Sequence, residues 1–296
     1  MTNPEILARL ARVRGIMFDI DGCLVISDGP SGHGGSVLPG AKEAIAQARA
    51  TGRQVCVFTN GTAQKPSDIA ALLRDLGFDV SDDEVLTPAV VAAEVMKERY
   101  GSKPIMVFGG DGMHHDFIKR GLNVVDLESA FAGTPSNAAA VVVGWDVDFG
   151  RAKLQVAAEA VLAGADLYCT SDSPSFASQE RLNVGVSGFI VTGLSHVTSQ
   201  PYQILGKPSA EAMSVVSRVL GVPNEEILVI GDDINLESAM ARPAGALAGL
   251  VLTGTSTLVA LAEAPAAIAP EIVINSMTEL VDMFTEADKA HSLTSH

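Results

Sequence analysis

Three cysteines in 296 residues leave this chain little scope for covalent cross-linking. Cys23, Cys56 and Cys169 lie inside or beside apolar segments and form no Cys-x-x-Cys pair, so reduced thiols in a core are expected. Basic residues are also scarce. Twenty Lys and Arg against 35 Asp and Glu give a net charge of −15, with no basic excess to neutralise a nucleic-acid backbone. A small phosphorylated ligand is still admissible if a lysine and a metal offset charge locally. Long apolar runs are missing too. Hydrophobic residues make up 47% of the chain, yet no run approaches the roughly 18 residues of a membrane span. Charges at Glu5, Arg9, Arg12 and Arg14 interrupt the first stretch, unlike a signal peptide. The cytoplasm is therefore the expected location, with neither membrane nor nucleic acid as partner. The length suffices for a full core plus a second domain.

What is present is concentrated at the ends of apolar strands. Ile16-Met17-Phe18 runs into Asp19-Ile20-Asp21-Gly22-Cys23-Leu24. Two carboxylates one residue apart on an extended segment point to the same side, where one can attack a reacting centre while the other moves a proton. Three more clusters follow: Thr59-Asn60-Gly61-Thr62 after strand 54–58, Gly206-Lys207-Pro208-Ser209 after 203–205, and Gly231-Asp232-Asp233 after 226–230. Continuous apolar strands suit a parallel sheet covered by helices on both faces. In such open α/β sheets, ligands bind outside the carboxyl ends of the strands. One rim thus gathers two acids, a hydroxyl with an amide, a lysine and an acidic cluster.

This ordered set resembles the four motifs of the haloacid dehalogenase-like superfamily of phosphotransferases. The Gly-Lys-Pro-Ser form and the long insertion before it are similar to one branch. That branch holds 4-nitrophenylphosphatase and the phosphoglycolate, pyridoxal and nucleotide phosphatases. The resemblance covers roughly residues 13–256. It implies a Rossmann-like doubly wound parallel sheet, formed by residues 1–86 and 203–296, with an inserted α/β cap at 87–202.

The rest of the chain agrees with a core, an insertion and the remainder of the core. Helices are expected over 41–50 and 67–77, the latter burying Leu72, Leu73 and Leu76. Thr87-Pro88 opens another as cap and first-turn proline. Within the insertion, strands are expected at 104–108, 138–144 and 166–170. A helix is expected over 151–163, with Leu154, Ala158, Val161 and Leu162 near one face. Gly109-Gly110-Asp111-Gly112 lacks dinucleotide-binding spacing and reads as a strand-to-helix turn. Adjacent His114 and His115 point to different helix faces and make a poor metal pair. The stretch Ser27 to Ser36, rich in glycine and containing His33, reads as an irregular loop beside the rim.

The resemblance implies roles. Asp19 is the nucleophile that forms an aspartyl-phosphate. Asp21 is the general acid and then base, with a neighbouring carboxylate and partial burial keeping its proton available. Lys207 is a fixed positive charge, while Thr59 and the Asn60 N–H hold phosphoryl oxygens. Mg²⁺ is the implied cofactor, held by Asp19, the Asp21 carbonyl and Asp232, with Asp233 or Glu237 in support. The implied activity is a Mg²⁺-dependent phosphatase of small phosphorylated metabolites, and a homodimer is compatible with it. A phosphomutase shares the two aspartates, but the stretch between Leu24 and the helix at Ala41 is too short for the usual mutase cap. A non-catalytic metabolite-binding protein on the same fold has no need of a nucleophile–acid pair. Cap residues Asp172 and Ser173 fall where substrate choice is expected. There the sequence departs from the family: Ser171 replaces an asparagine, the aspartate comes one residue early, and Pro-Gly-x-Gly is missing.

Overall fold

The computed structural model describes residues 3–27, 35–176 and 183–294. Strands β1 (Gly15–Phe18), β4 (Gln54–Phe58), β5 (Val85–Leu86), β12 (Ile227–Gly231), β13 (Leu247–Val251) and β14 (Ile272–Ile274) form the larger sheet. Their order is β14-β13-β12-β1-β4-β5, and every pairing is parallel. All four residues of β1 and all five of β12 are buried, because helices cover both faces. The chain leaves β1 toward β4 and later returns on the other side as β12. Strand order thus reverses at β1, and a crevice opens between the carboxyl ends of β1 and β12.

A hairpin of β2 (Val25–Ser27) and β3 (Gly35–Val37) follows the first strand. It corrects the expectation of wholly irregular chain over 27–36: cross-strand pairing at both ends overrides the glycine content. Residues 28–34, His33 among them, lie outside the described residues.

A second parallel sheet, ordered β11-β8-β7-β6, is the cap sheet. It holds β6 (Ile105–Phe108), β7 (Ala140–Val143), β8 (Asp166–Cys169) and β11 (Tyr202–Ile204). A short hairpin of β9 (Ser175–Phe176) and β10 (Asn183–Val184) completes the strands. A helix that the sequence did not announce, Val186–Thr198, packs on the cap sheet through Ile190, Val191 and Leu194.

The helix Pro88–Tyr100 joins the two layers. Thr87 caps it by accepting from Val90 N, and eight of its residues, from Pro88 to Met96, are buried. A helix that is apolar nearly all round must be covered on several sides, and this one belongs to a single apolar cluster reaching from Met17 and Phe58 in the larger sheet to Val107, Val142 and Tyr168 in the cap. Its polar residues bridge the same way. Glu94 accepts from Arg120 at 2.8 Å and Arg218 at 3.2 Å. Arg99 donates to Tyr168, Gln203 and Glu211.

Two helix faces differ from expectation. In Pro66–Asp75 the buried residues are Ile69, Ala70 and Leu73, with Leu72 and Leu76 only half-buried. In Arg151–Leu162 they are Val156, Ala157, Ala160 and Val161, while Leu162 is 66% exposed. In the second helix small alanines make up half of the buried face and Leu162 is displaced toward solvent. No helix among the described residues is long and apolar enough to cross a membrane. All three cysteines are buried and free.

Candidate active site

The four clusters converge at the crevice, three of them from strands of the larger sheet. Lys207 instead follows β11, an edge strand of the cap sheet, which corrects the expectation that all four leave one sheet. Asp19 follows β1, and its amide donates to Ile230 O of β12 at 2.8 Å. Lys207, 2% exposed, reaches the same point. Its ammonium donates to Asp19 Oδ1, to Phe58 O at the end of β4 at 2.8 Å and to Glu237 Oε1 at 2.6 Å. An ammonium has three donors, and all three are engaged. Lys207 is therefore a charge fixed in place by partners from three parts of the fold.

Each partner is itself held. Glu237 belongs to a π-type turn, Ile234–Ser238, of a kind frequent at functional sites. Its second oxygen accepts from Asp233 N at 3.1 Å. A Cβ on Gly231 would lie 2.3 Å from Glu237 Cγ, so a glycine at this strand end leaves room for the glutamate. Asp233 accepts from Asn235 N at 2.8 Å and caps the turn. Glu237 thus serves the lysine, and Asp233 the turn.

Asp232, 6% exposed, is gripped by a loop that the sequence reading passed over. Thr255 N donates to Asp232 Oδ2 at 2.6 Å, Ser256 N to Asp232 O at 2.9 Å, and Thr253 Oγ1 to Gly22 O at 2.5 Å. The available signal was a Thr-Gly-Thr-Ser run at the end of an apolar strand, residues 253–256. Gly22 turns the chain at a φ of +81°, and a Cβ there would lie 2.6 Å from Asp232 Oδ2. That turn carries Asp21 outward, leaving it exposed. The partial burial expected of Asp21 is therefore absent.

Thr59 Oγ1 accepts from Gly61 N at 3.1 Å, which leaves its hydroxyl hydrogen to donate. The Asn60 side chain, to which the sequence assigned no role, pairs with Lys207: Nδ2 donates to Lys207 O at 3.3 Å and Oδ1 accepts from Lys207 N at 3.2 Å. This paired contact fixes the lysine backbone. Cap residue Asp172 accepts from Tyr202 OH at 3.0 Å, and Ser173 N donates to Ser171 Oγ at 3.4 Å. The neighbouring Thr170 O accepts from Gly206 N at 2.9 Å, which sets the end of β8 beside Lys207.

A family model for haloacid dehalogenase-like hydrolases matches residues 16–123, and a second, HAD-hydrolase-like model matches 204–280. A phospholysine phosphohistidine inorganic pyrophosphate phosphatase from Bos taurus is 30% identical over 251 residues, 83% of this chain and 85% of its own. The chain belongs to the haloacid dehalogenase-like hydrolases. The solved 4-nitrophenylphosphatase of Thermotoga maritima superposes with a TM-score of 0.81 at 27% identity, covering 93% of this chain and 98% of that one. A glycerol phosphate phosphatase from Mycobacterium tuberculosis, solved in complex with magnesium, shares the fold with a TM-score of 0.79 at 23% identity, over 92% of this chain and 78% of that one. Within the family, this hydrolase falls in the phosphatase branch with the α/β cap.

Electrostatics define what the crevice can hold. Burial pushes the Asp19 carboxyl well up; Lys207 pulls it back, while Glu237 and Asp232 push it further. Burial, then the Glu237 charge, pushes Asp232 up to about 7. For Lys207, burial alone would lower the pKa, but the Asp19 and Glu237 charges more than offset it and the net shift is upward. Three buried carboxylates face one ammonium, an excess that a divalent cation would offset. Among the described residues no group of three His, Cys, Asp or Glu side chains could hold a metal by itself. Mg²⁺ commonly uses one or two carboxylates and completes its shell with waters and substrate phosphate. Asp19 and Asp232 supply such a pair. Burial also pushes the Cys23 thiol well up, which keeps it an inert neighbour.

Two expectations follow. Lys207→Met leaves three buried carboxylates uncompensated, so the metal-free protein should lose about 3–5 kcal/mol at pH 8. The loss should shrink at pH 5, where protonation relieves the site. Urea titrations at both pH values check this, and an equal loss at each would remove Lys207 from its neutralising role. Secondly, the folded protein holds the Asp232 proton more tightly than an unfolded chain does. Metal-free stability should therefore fall as pH rises from about 4 to about 7. Asp232→Asn should flatten that fall by up to a few kcal/mol and raise the chelated protein's melting temperature at pH 8. A variant that melts like wild type across this range contradicts the assignment.

Proposed function

We propose that this hydrolase is a Mg²⁺-dependent phosphatase of small phosphorylated metabolites that works through an aspartyl-phosphate on Asp19. The observation that carries the reading is the buried Asp19–Lys207–Glu237 cluster, placed at the strand-order reversal beside Asp232. Phosphate monoesters repel nucleophiles by their own charge, and enzymes accelerate their hydrolysis by up to ~10²¹-fold. Such a site needs positioned positive charge more than raw nucleophilicity. A bound Mg²⁺, held by Asp19, the Asp21 carbonyl and Asp232, would supply charge that lets carboxylate and phosphate approach.

The chain's own residues do the rest. Asp19 attacks phosphorus as the bond to the leaving oxygen breaks, and Asp21 delivers a proton to that oxygen. Water then attacks the aspartyl-phosphate, Asp21 takes the water's proton, and inorganic phosphate departs with Asp19 restored. Exposure suits Asp21 to this exchange, since its carboxyl must meet both leaving group and water. Thr59 Oγ–H and the Asn60 N–H hold phosphoryl oxygens while Lys207 fixes the nucleophile.

Residues 87–202, extended to Ile204 by strand β11 of the cap sheet, form the cap that chooses the leaving group, with Asp172 and Ser173 at its catalytic side; residues 1–86 and 205–296 form the core. The surface charge disfavours nucleic acid as a substrate, and a homodimer is compatible with the reading. A phosphate-release screen tests the substrate class, run with Mg²⁺ over sugar phosphates, nucleotides, phosphoglycolate, pyridoxal phosphate and pyrophosphate. Inactivity across the panel would leave a metabolite-binding protein on this fold.

Asp19→Asn should abolish turnover while leaving the melting curve cooperative, because an amide oxygen is a poor nucleophile; appreciable residual kcat removes Asp19 from its role. Asp21→Asn should slow alkyl phosphates more than activated aryl phosphates, and equal losses on both contradict the acid–base assignment. Chelation should silence the enzyme and Mg²⁺ restore it, whereas Ca²⁺, with its looser coordination of 6–8 oxygens, should inhibit. Full activity in excess chelator would overturn the metal assignment.

A further inference from the structure

The turn Gly109-Gly110-Asp111-Gly112 takes no part in the chemistry described above, yet it makes a close backbone approach between cap and core. A Cβ on Gly112 would lie 2.5 Å from Gln64 O and 2.7 Å from Thr62 O, so the two backbones meet with no space for a side chain. Gly110 N donates to Trp145 O at 3.1 Å, which joins the turn to the end of β7. Trp145 N in turn donates to Thr62 Oγ1 at 3.0 Å, and a Cβ on Gly144 would lie 3.2 Å from the same oxygen. Thr62 is 2% exposed. A hydroxyl so deeply buried and accepting from a cap amide ties the cap to the segment after β4.

That segment begins with Thr59 and Asn60. It has no strand or helix of its own between Phe58 and the helix at Pro66; within it Thr59 N donates to Leu86 O at 3.2 Å and Gly61 N to Thr59 Oγ1 at 3.1 Å. It is tethered on one side by the Asn60 amide on the Lys207 backbone, and on the other by Thr62. Three residues span at most ~10 Å of extended chain, so a shift at Thr62 is transmitted to Thr59.

Building on the phosphatase reading, we infer that the cap positions the phosphate-holding segment Thr59–Gly61 through this seam, with Thr62 and Gly112 as its positioning residues. The cap then does more than select a leaving group: its seating on Thr62 sets the affinity for the phosphoryl group common to every substrate. Linkage makes the relation reciprocal, so phosphate bound at Thr59 tightens the seam at Trp145.

Thr62→Val keeps the shape and removes the acceptor. It should raise KM for 4-nitrophenyl phosphate and the inhibition constant of inorganic phosphate about tenfold, the scale of one lost buried hydrogen bond. Its kcat should change much less, the signature of lost uniform binding. Thr62→Ser should restore phosphate affinity. Unchanged phosphate affinity in Thr62→Val, or a loss that Thr62→Ser does not rescue, would overturn the inference. A second arm does not depend on turnover. Backbone hydrogen exchange at 59–64 and 110–113 should quicken in Thr62→Val and Gly112→Ala, and inorganic phosphate should shift the emission of Trp145, the single tryptophan. If wild type hydrolyses nothing but these exchange changes appear, the phosphatase reading fails and the seam stands. Exchange rates equal to wild type refute the seam.

Discussion

The site depends on one buried ammonium. Lys207 is shared by a carboxylate from the end of β1, a carbonyl from the end of β4 and a glutamate from the turn after β12. Isolated, a buried charge would be costly; surrounded by three acceptors, it draws three strand ends to one point. The opposite excess remains, because Asp232 adds a further carboxylate held by main-chain donors. The crevice is therefore electrostatically incomplete by itself, a negative excess that a divalent cation would relieve. Stability is given up at the place where charge must later be rearranged.

Around this point the two layers are bound more closely than a hinged lid would be. The helix Pro88–Tyr100 is common property: its apolar residues belong to a cluster spanning both sheets, and Glu94 and Arg99 each reach partners on both sides. Any movement of the cap must pivot on this helix rather than detach from it. The other contacts, Thr62 with Trp145 and Gly206 with Thr170, lie directly at the catalytic loops.

Much of this was legible in the sequence because it is local. Asp19, Asp232 and Thr59 stand at the ends of apolar strands of one parallel sheet, whose rim is predictable. Lys207 shares their motif spacing but follows β11 of the cap sheet, and that the two sheets meet here was not legible. The partnerships among them were not legible. Lys207 and Asp19 are 188 residues apart, and nothing in Gly-Asp-Asp tells that Glu237 bends back to the lysine. The sequence offers a role for the Asn60 N–H but none for its side chain, which pairs with the Lys207 backbone. The helix Val186–Thr198 escaped notice because its valines, threonines and glycines are weak helix formers, and packing on the cap sheet decides its form. The misjudged faces at Leu72, Leu76 and Leu162 arose because spacing leaves a helix's rotation open by one residue: burial centres on Ile69, Ala70 and Leu73 in one helix and on Val156, Ala157, Ala160 and Val161 in the other.

The parallel pairing of β1 with β12 also bears on how the molecule is made. A ribosome emits the strand that ends in Asp19 early and its central neighbour β12 only after the whole cap. Until then β1 has β4 on one side and an open apolar edge, Ile16-Met17-Phe18, on the other. Unpaired edges of this kind recruit foreign strands, so the nascent protein is most vulnerable to aggregation during synthesis of its middle third. For the same reason a prematurely terminated chain is chemically silent: lacking Lys207 and Asp232, it carries an aspartate pair with no charge to steady it.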